Sequence, residues 1–529
     1  MRRSLKIGSL LMVLILIISL IAACGSGGNN NNSNTANTNS NSASNSKSSS
    51  SGGNTSSSGS ADSAGETLEP YELTMAYPIF GATPTDMDQV VAEINKITQA
   101  EINTTVTILP ISIGSYYQQM NLMSSSGEKL DLMFTFGNSG LYSTDAMSGK
   151  LLPLDDLLAQ YGQGIVEAVG AEYMESARVG GQIYGVPTLH SFAQQPGILM
   201  RKDIVDKYNI DVSSIKTIHD LDPVFKIVKD NEPNMVPIAF GLSNAMTYLR
   251  NYDKLGDGYG VLPGFDNGLQ IVNWYESEEY AELLNVMHEW FKAGYVNKDA
   301  ATTQATTTDL VKADAAFSYI TMLKPEVKAG EERFIGKELV EVYFSDYEPY
   351  ATTTDVVVGV WGVAQQSDNP ERTMMFLNLM YTNSDLVNLM YWGIEGKHYV
   401  KVSDNVIRYP DGIDSSTVGY SSNGMTIGNP FIAYTFEGDD PNLSQTIQEW
   451  NAAAKKSVAL GFTFTSADVQ NEMTAISNVL QQYQRVLETG SADPKQVLPE
   501  FISQLQAAGI DRVIEAKQAQ LDAWAAENK

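Results

Sequence analysis

The chain has 529 residues, 43% apolar and 18% charged, with 62 acidic against 34 basic side chains and a formal charge of −28. That length exceeds one ordinary core, so two or three packed units are expected; the acidity argues against binding nucleic acid or lying flat on an anionic membrane, since nothing could neutralise a run of phosphates. Cysteine occurs once, at Cys24, and the four histidines lack metal-ligand spacing, so neither a disulfide nor a zinc or other metal site is expected.

The chain opens with the cations Arg2, Arg3 and Lys6, followed by a continuously apolar or small stretch over 7–23, which reads as a secretory leader. It ends in Leu20-Ile21-Ala22-Ala23-Cys24, which resembles the bacterial lipobox. The resemblance implies a diacylglyceryl group on the Cys24 thiol and cleavage just before it. That leaves a lipidated, palmitate-type N-terminus on a mature chain of charge −31, with 31 basic and 62 acidic residues. An ordinary signal with a chance cysteine is the alternative. Residues 24–70 follow as a tether, nearly all Ser, Asn, Thr, Gly and Ala up to Gly65. It has too little apolar surface to fold and, as a Gly/Ser-type coil, spans about 35 Å.

From Tyr71 the period of the apolar residues changes. Leu73, Met75 and Tyr77 alternate as in a strand; Met87, Val90, Val91, Ile94 and Ile97 recur as on a helix over 86–100. Thr104–Leu109 returns as a strand, Tyr116–Ser124 as a helix and Leu130–Phe136 as a short buried strand. This order predicts a doubly wound parallel sheet. Ligands of such sheets sit beyond the carboxyl ends of the strands, which places candidates in the loops 78–85, with Phe80, and 137–143, with Asn138; ordinary loop chemistry is the competing reading for both.

Residues 182–189 then read as an extended crossing segment, and a second alternation follows. Strands are expected at 197–200, 236–240 and 315–320, with helices at 202–208, 221–231 and 277–293. The β-branched run Asp355–Ala364 is expected to form a long strand crossing back between the two units, ahead of helices at 369–380 and 385–391. From Ser466 onward Ala- and Gln-rich helices dominate. Two lobes joined by more than one strand suit a hinge. The expected architecture is therefore an α/β, two-lobed periplasmic-binding-protein-like fold with hinge strands and a C-terminal helical region. Its parts are a leader (1–23), a tether (24–70), lobe 1 (71–187), lobe 2 (188–354), a return segment (355–465) and a C-terminal helical module (466–529).

No phosphate-cradling loop occurs, and Gly241-Leu-Ser243-Asn-Ala245 lacks the second glycine of a nucleophile elbow. Asp253, Asp257 and Asp266 fail calcium-loop spacing at Leu255. Ser126-Gly-Glu-Lys129 matches one element of the penicillin-recognising enzymes, but their Lys-Thr-Gly is missing. A secreted glycosidase, which needs only two facing carboxylates, stays open as an alternative.

Several stretches carry a further resemblance: Glu128-Lys-Leu-Asp-Leu-Met-Phe134, Leu151-Leu-Pro-Leu-Asp-Asp156, Tyr184-Gly-Val-Pro187, Met200-Arg-Lys-Asp-Ile-Val-Asp-Lys-Tyr208 and, most specific, Tyr391-Trp-Gly-Ile-Glu-Gly-Lys-His-Tyr399. With 501–524 they resemble the LipO-like lipoproteins among extracellular solute-binding proteins of family 1 type. The resemblance implies a monomeric, non-enzymatic, cofactor-free binder at the outer face of the cell membrane. Such a binder delivers a solute, usually an oligosaccharide, to separate ABC permease and ATPase chains; the substrate itself does not transfer.

A sugar site needs aromatic platforms beside polar groups. Trp361 lies in a Gly-flanked strand, where it either faces the cleft or packs in a core. Tyr391, Trp392 and Glu395 lie where a helix stops at Gly393, either at the cleft or as a structural helix end. His190 follows the first crossing, as a ligand contact or a structural histidine. Trp274, Trp290, Trp450 and Trp524 fall in helical or pre-helical patterns that favour packing.

Overall fold

A computed structural model describes residues 68–137, 140–264 and 268–528. The leader, Cys24, nearly all of the tether, and Asn138 lie outside the described residues. In chain order the framework comprises β1 (Tyr71–Ile79), α1 (Met87–Ile102), β2 (Thr104–Ser112), α2 (Ile113–Ser126), β3 (Leu132–Thr135) and β4 (Val186–Pro187). It continues with β5 (Gln195–Arg201), α3 (Leu221–Asn231), β6 (Val236–Ile238), α4 (Glu278–Lys292), β7 (Ala316–Leu323), β8 (Leu339–Tyr343) and β9 (Val360–Val363). The last part is helical: α5 (Pro370–Thr382), α6 (Ser384–Trp392), α7 (Leu443–Ala453), α8 (Gln470–Glu488), α9 (Pro494–Ala507) and α10 (Ile510–Asn528).

The first sheet has the order β2-β1-β3-β9-β4. β1 lies parallel to β2 and β3, as the alternation of periods requires. On α1, Met87, Val90, Ile94, Thr98 and Ile102 form the buried stripe. The helix stops at Asn103, whose φ of 46° is left-handed, and β2 begins one residue later; Asn tolerates that conformation better than most residues. β9 enters between β3 and β4 antiparallel to both, so the sheet is mixed. The strand expected over 355–364 is only four residues long. Ahead of it, Thr352 and Asp355 cap each other and wind Thr353–Val356 into a helical turn, an arrangement that satisfies backbone donors a strand would have left to a ladder.

The second sheet has the order β8-β5-β7-β6, with β5 antiparallel to β7 and β8, and β7 parallel to β6. Two cores result. One gathers Leu73, Met75, Phe134, Trp361, Phe376 and Met380; the other gathers Ile198, Phe225, Trp290, Phe317, Ile476 and Phe501. The C-terminal helices thus belong to the second core, into which α8 to α10 insert Ile476, Leu487, Phe501, Leu505, Ile510 and Val513. Arg485 of α8 adds polar ties, donating to the carbonyls of Gly241, Ala300 and Thr303 at 3.0, 3.0 and 2.8 Å.

The chain passes between the cores near 194, 350 and 455. The first two crossings exchange backbone hydrogen bonds between Gln194 and Tyr350, both 3.1 Å. The second and third pair Tyr350 with Lys455 and Ala351 with Lys456. The lobes are therefore joined by a three-stranded ribbon.

Candidate functional site

Strand direction decides where the two sheets can meet a ligand. In the first sheet β3 ends at Thr135, β4 ends at Pro187, and the antiparallel β9 begins at Val360. Their flanking segments therefore meet at one edge, where Gly137 N–H donates to Val357 O at 2.8 Å and Thr188 N–H to Gly359 O at 2.9 Å. In the second sheet Leu323 at the end of β7 faces Gln195 at the start of β5, and β8 ends at Tyr343 beside Gly197. These two edges, joined by the crossings, line a trough of three adjoining cavities.

The first cavity, about 370 Å³, lies among Gly137, Gly140, Ser143, Asp253, Thr353 and Phe464. A middle cavity of about 270 Å³ shares Gly256 and Thr354 with it and is lined further by Arg250, Tyr252, Lys254, Tyr347 and Tyr350. The third and largest, about 470 Å³, shares Gln194 and Asp355 with the middle one. His190, Phe192, Glu326, Tyr391, Trp392, Phe431, Tyr434 and Phe436 form much of its wall.

Local structure makes this wall aromatic. The rings of Tyr391 and Trp392 close α6, stacked 4.4 Å apart at 21°, and Phe436 stands 5.8 Å from the indole. The indole N–H is committed to Tyr434 O at 3.0 Å, so Trp392 offers a ring face rather than a donor. Gly393 ends the helix at φ 79°, and a Cβ there would sit 2.4 Å from His398 Nδ1. His398 is buried and holds the turn. Its Nδ1 accepts from Ile394 N–H at 2.8 Å, which places the proton on Nε2 to donate to Asp86 at 3.1 Å. A histidine that sequence reasoning passed over therefore positions the pair.

His190 lies on the first crossing, with one ring nitrogen 2.9 Å from Thr188 O and the other 2.9 Å from Asp355 O. Burial holds it below its ordinary pKa. A neutral ring donates to only one of two carbonyls, so a ligand hydroxyl reaching the other nitrogen would find an acceptor there. The carboxylates nearby are engaged: Asp355 accepts from Gln194 Nε2 and Thr352 Oγ1, both at 2.7 Å, and Glu326 pairs with Lys324 at 3.1 Å.

Of the residues expected at the site, His190, Tyr391 and Trp392 come together on the third cavity. Trp361 does not. It is fully buried in the first core, edge-on to Phe134 at 5.2 Å, and its N–H donates to Thr426 O at 3.2 Å. The glycines around it make room for core side chains, since a Cβ on Gly359 would lie 2.6 Å from the Phe134 ring. Phe80 is exposed on the loop after β1 and lines none of the three cavities. Glu395 is exposed and pairs with Lys401 at 3.4 Å, again off the trough. Phe431, Tyr434 and Phe436 were not anticipated; they sit in a stretch of short 3₁₀ turns and bridges with no apolar period to find.

A family profile described as bacterial extracellular solute-binding protein matches residues 81–385. A second, described only as a domain of unknown function, matches residues 458–526. A carbohydrate ABC transporter substrate-binding protein of Streptococcus pneumoniae is 29% identical over 456 residues, 85% of this chain and 90% of its own. The crystal structure of the N-glycan transport solute binding protein NgtS, from the same species, overlays with a TM-score of 0.76 at 27% identity, covering 87% of this chain and all of that one. NgtS in complex with Man1GlcNAc overlays at 0.63, with 26% identity over 86% of this chain and 99% of that one. In complex with Man5GlcNAc it overlays at 0.61, with 27% identity over 87% and 100%.

Proposed function

The chain belongs to the bacterial extracellular solute-binding proteins, a non-catalytic class, and on that premise we propose that it captures an oligosaccharide in the trough between its lobes and delivers it to an ABC importer. The observation that carries this reading is the wall of Tyr391, Trp392, Phe431, Tyr434 and Phe436 on a trough that continues past polar groups of both lobes. Sugar rings present C–H faces to such surfaces and hydroxyls to the polar margin, and three adjoining cavities suit several sugar units rather than one. The carbohydrate relatives support the same class of ligand.

Capture proceeds by closure of the lobes about the three-stranded ribbon. The better overlay on NgtS without a named sugar, 0.76 against 0.63 and 0.61, supports an open arrangement here and a different one in the sugar-bound relative. Lobe 1 comprises about 71–193 with 351–454, and lobe 2 comprises about 195–349 with the chain after the third crossing, including the helical module 466–529. Cys24 anchors the chain to the outer face of the membrane, and the tether lets the lobes reach a permease encoded separately.

Calorimetry against oligosaccharides of graded length, with chromatography of the recovered ligand, tests the proposal. Affinity should rise with length over the first few units, and the sugar should be recovered intact. Absence of binding across neutral and acidic oligosaccharides alike would overturn it.

A further inference from the structure

The middle cavity holds a feature that a neutral sugar does not require. In a chain of charge −28, cations near the trough are matched: Lys324 with Glu326 at 3.1 Å, Arg333 with Asp439 at 2.7 Å, and Lys455 with Glu348. Arg250 and Lys254 are the exceptions. Both line the middle cavity and both are half-buried. Neither side chain makes a hydrogen bond or ion pair among the described residues.

We propose that Arg250 and Lys254 form an anion subsite that takes the carboxylate of an acidic sugar within the bound oligosaccharide; this rests on the carbohydrate reading above. Acids around the cavity do not supply the missing partner. Asp355 is engaged by Gln194 and Thr352, and Glu348 by Lys455. Asp253 is buried and accepts from Leu255 N–H at 2.8 Å. Glu488 is buried within the second lobe, held by Gln484 and Tyr280.

Two like charges drawn partly out of water with no carboxylate in bonding contact carry a standing cost, which an incoming anion would relieve. Burial pulls Lys254 down to about 8 and the charge of Arg250 adds to the effect, against the through-space pull of Asp355 and Glu488. The pair is also held in place. Tyr252 and Asp253 lie between them, paired antiparallel with Leu262 and Pro263, and Leu255 and Gly256 turn the chain with φ of 50° and 95°. A planar guanidinium matches a carboxylate through two parallel donors, and the ammonium adds a point charge beside it.

The test is calorimetry on the leaderless protein with three acid–ester pairs: trigalacturonate, trimannuronate and sialyllactose, each against its methyl ester. At low ionic strength at least one acid should bind about tenfold or more tightly than its ester, the advantage shrinking as salt is added. R250Q and K254Q should each remove most of that advantage while leaving the ester's affinity within about twofold, with unchanged circular dichroism as the folding control. If every ester binds as well as its acid, or if the preference survives both substitutions, the anion subsite is wrong. Neutral oligosaccharides that bind while no acid gains anything overturn this inference alone; if neither class binds, the carbohydrate reading falls and takes the subsite with it.

Discussion

Replacing Trp392 by alanine separates a ligand platform from a packing residue. The indole is half-buried, is backed by Tyr391 at 4.4 Å and has its N–H bound to Tyr434 O, so its remaining offer to a ligand is one ring face. A sugar covering about 50 Å² of that face contributes about 1.3 kcal/mol at 25 cal/mol/Å². Stacking adds about 0.5–1.5 kcal/mol beyond area. The sum, about 1.8–2.8 kcal/mol, corresponds to a loss of roughly 20- to 100-fold in affinity. Tyr391 becomes uncovered in the variant and offers a second ring, so the lower end is expected. Trp392→Phe keeps a face and loses only the bond to Tyr434, and should cost about threefold. Trp361→Ala is the counterpart. Its side chain is fully enclosed, so the fold should lose about 3–5 kcal/mol while folded protein keeps its affinity. Titration calorimetry and thermal melts on all three variants decide the matter. Trp392→Ala binding within twofold of the parent, or Trp361→Ala losing affinity at unchanged Tm, would refute this assignment of roles.

Glu488 supplies a pH test. Burial raises its carboxyl from the ordinary 4.5 to about 7, against the pull of hydrogen bonds from Gln484, Asn244 and Tyr280. Stability drawn from the neutral form is complete below pH 4.5 and is lost as pH rises through 7, a change on the order of 3 kcal/mol. Glu488→Gln should therefore be the more stable protein at pH 8 and no better at pH 4.5, as read by denaturant unfolding at both values. Small-angle scattering of the soluble protein should show its radius of gyration falling at saturating ligand; an unchanged radius would mean that the ribbon does not act as a hinge. Cys24→Ser should abolish incorporation of labelled fatty acid and release the protein from the membrane fraction, whereas undiminished labelling would place the lipid elsewhere.

What could be read beforehand followed from local period. β1, α1, β2 and α2 announce themselves because Leu73, Met75 and Tyr77 alternate and Met87, Val90 and Ile94 recur at helical spacing. The placement of β9 was not legible, since its partners lie more than 170 residues away in β4 and further in β3, and pairing over such distances leaves no period in either strand. For the same reason the Gly-flanked Trp361 could be read as facing open space, although each glycine is small on behalf of a neighbour: Gly359 for Phe134, and Gly362 for Leu151 at 2.7 Å. Tyr391 and Trp392 were visible because Gly393 stops their helix. Arg250 and Lys254 were hidden in a Gly-rich loop whose acids drew attention towards a calcium loop instead.

The order in which the chain visits its two cores bears on how it can be secreted. The first sheet lacks its fourth member until residues 360–363 have arrived, and the second core stays open until Phe501, Ile510 and Val513 have been supplied. No N-terminal piece, however long short of that point, closes the apolar faces of the second lobe. A polypeptide threaded through a translocation pore must remain a loose strand while it crosses, and this interleaving denies the first lobe a complete core until about residue 454 and the second until α8 to α10 have been made. It also means that a premature stop codon ahead of α10 leaves the second lobe without Ile510 and Val513, its uncovered core residues open to proteolysis.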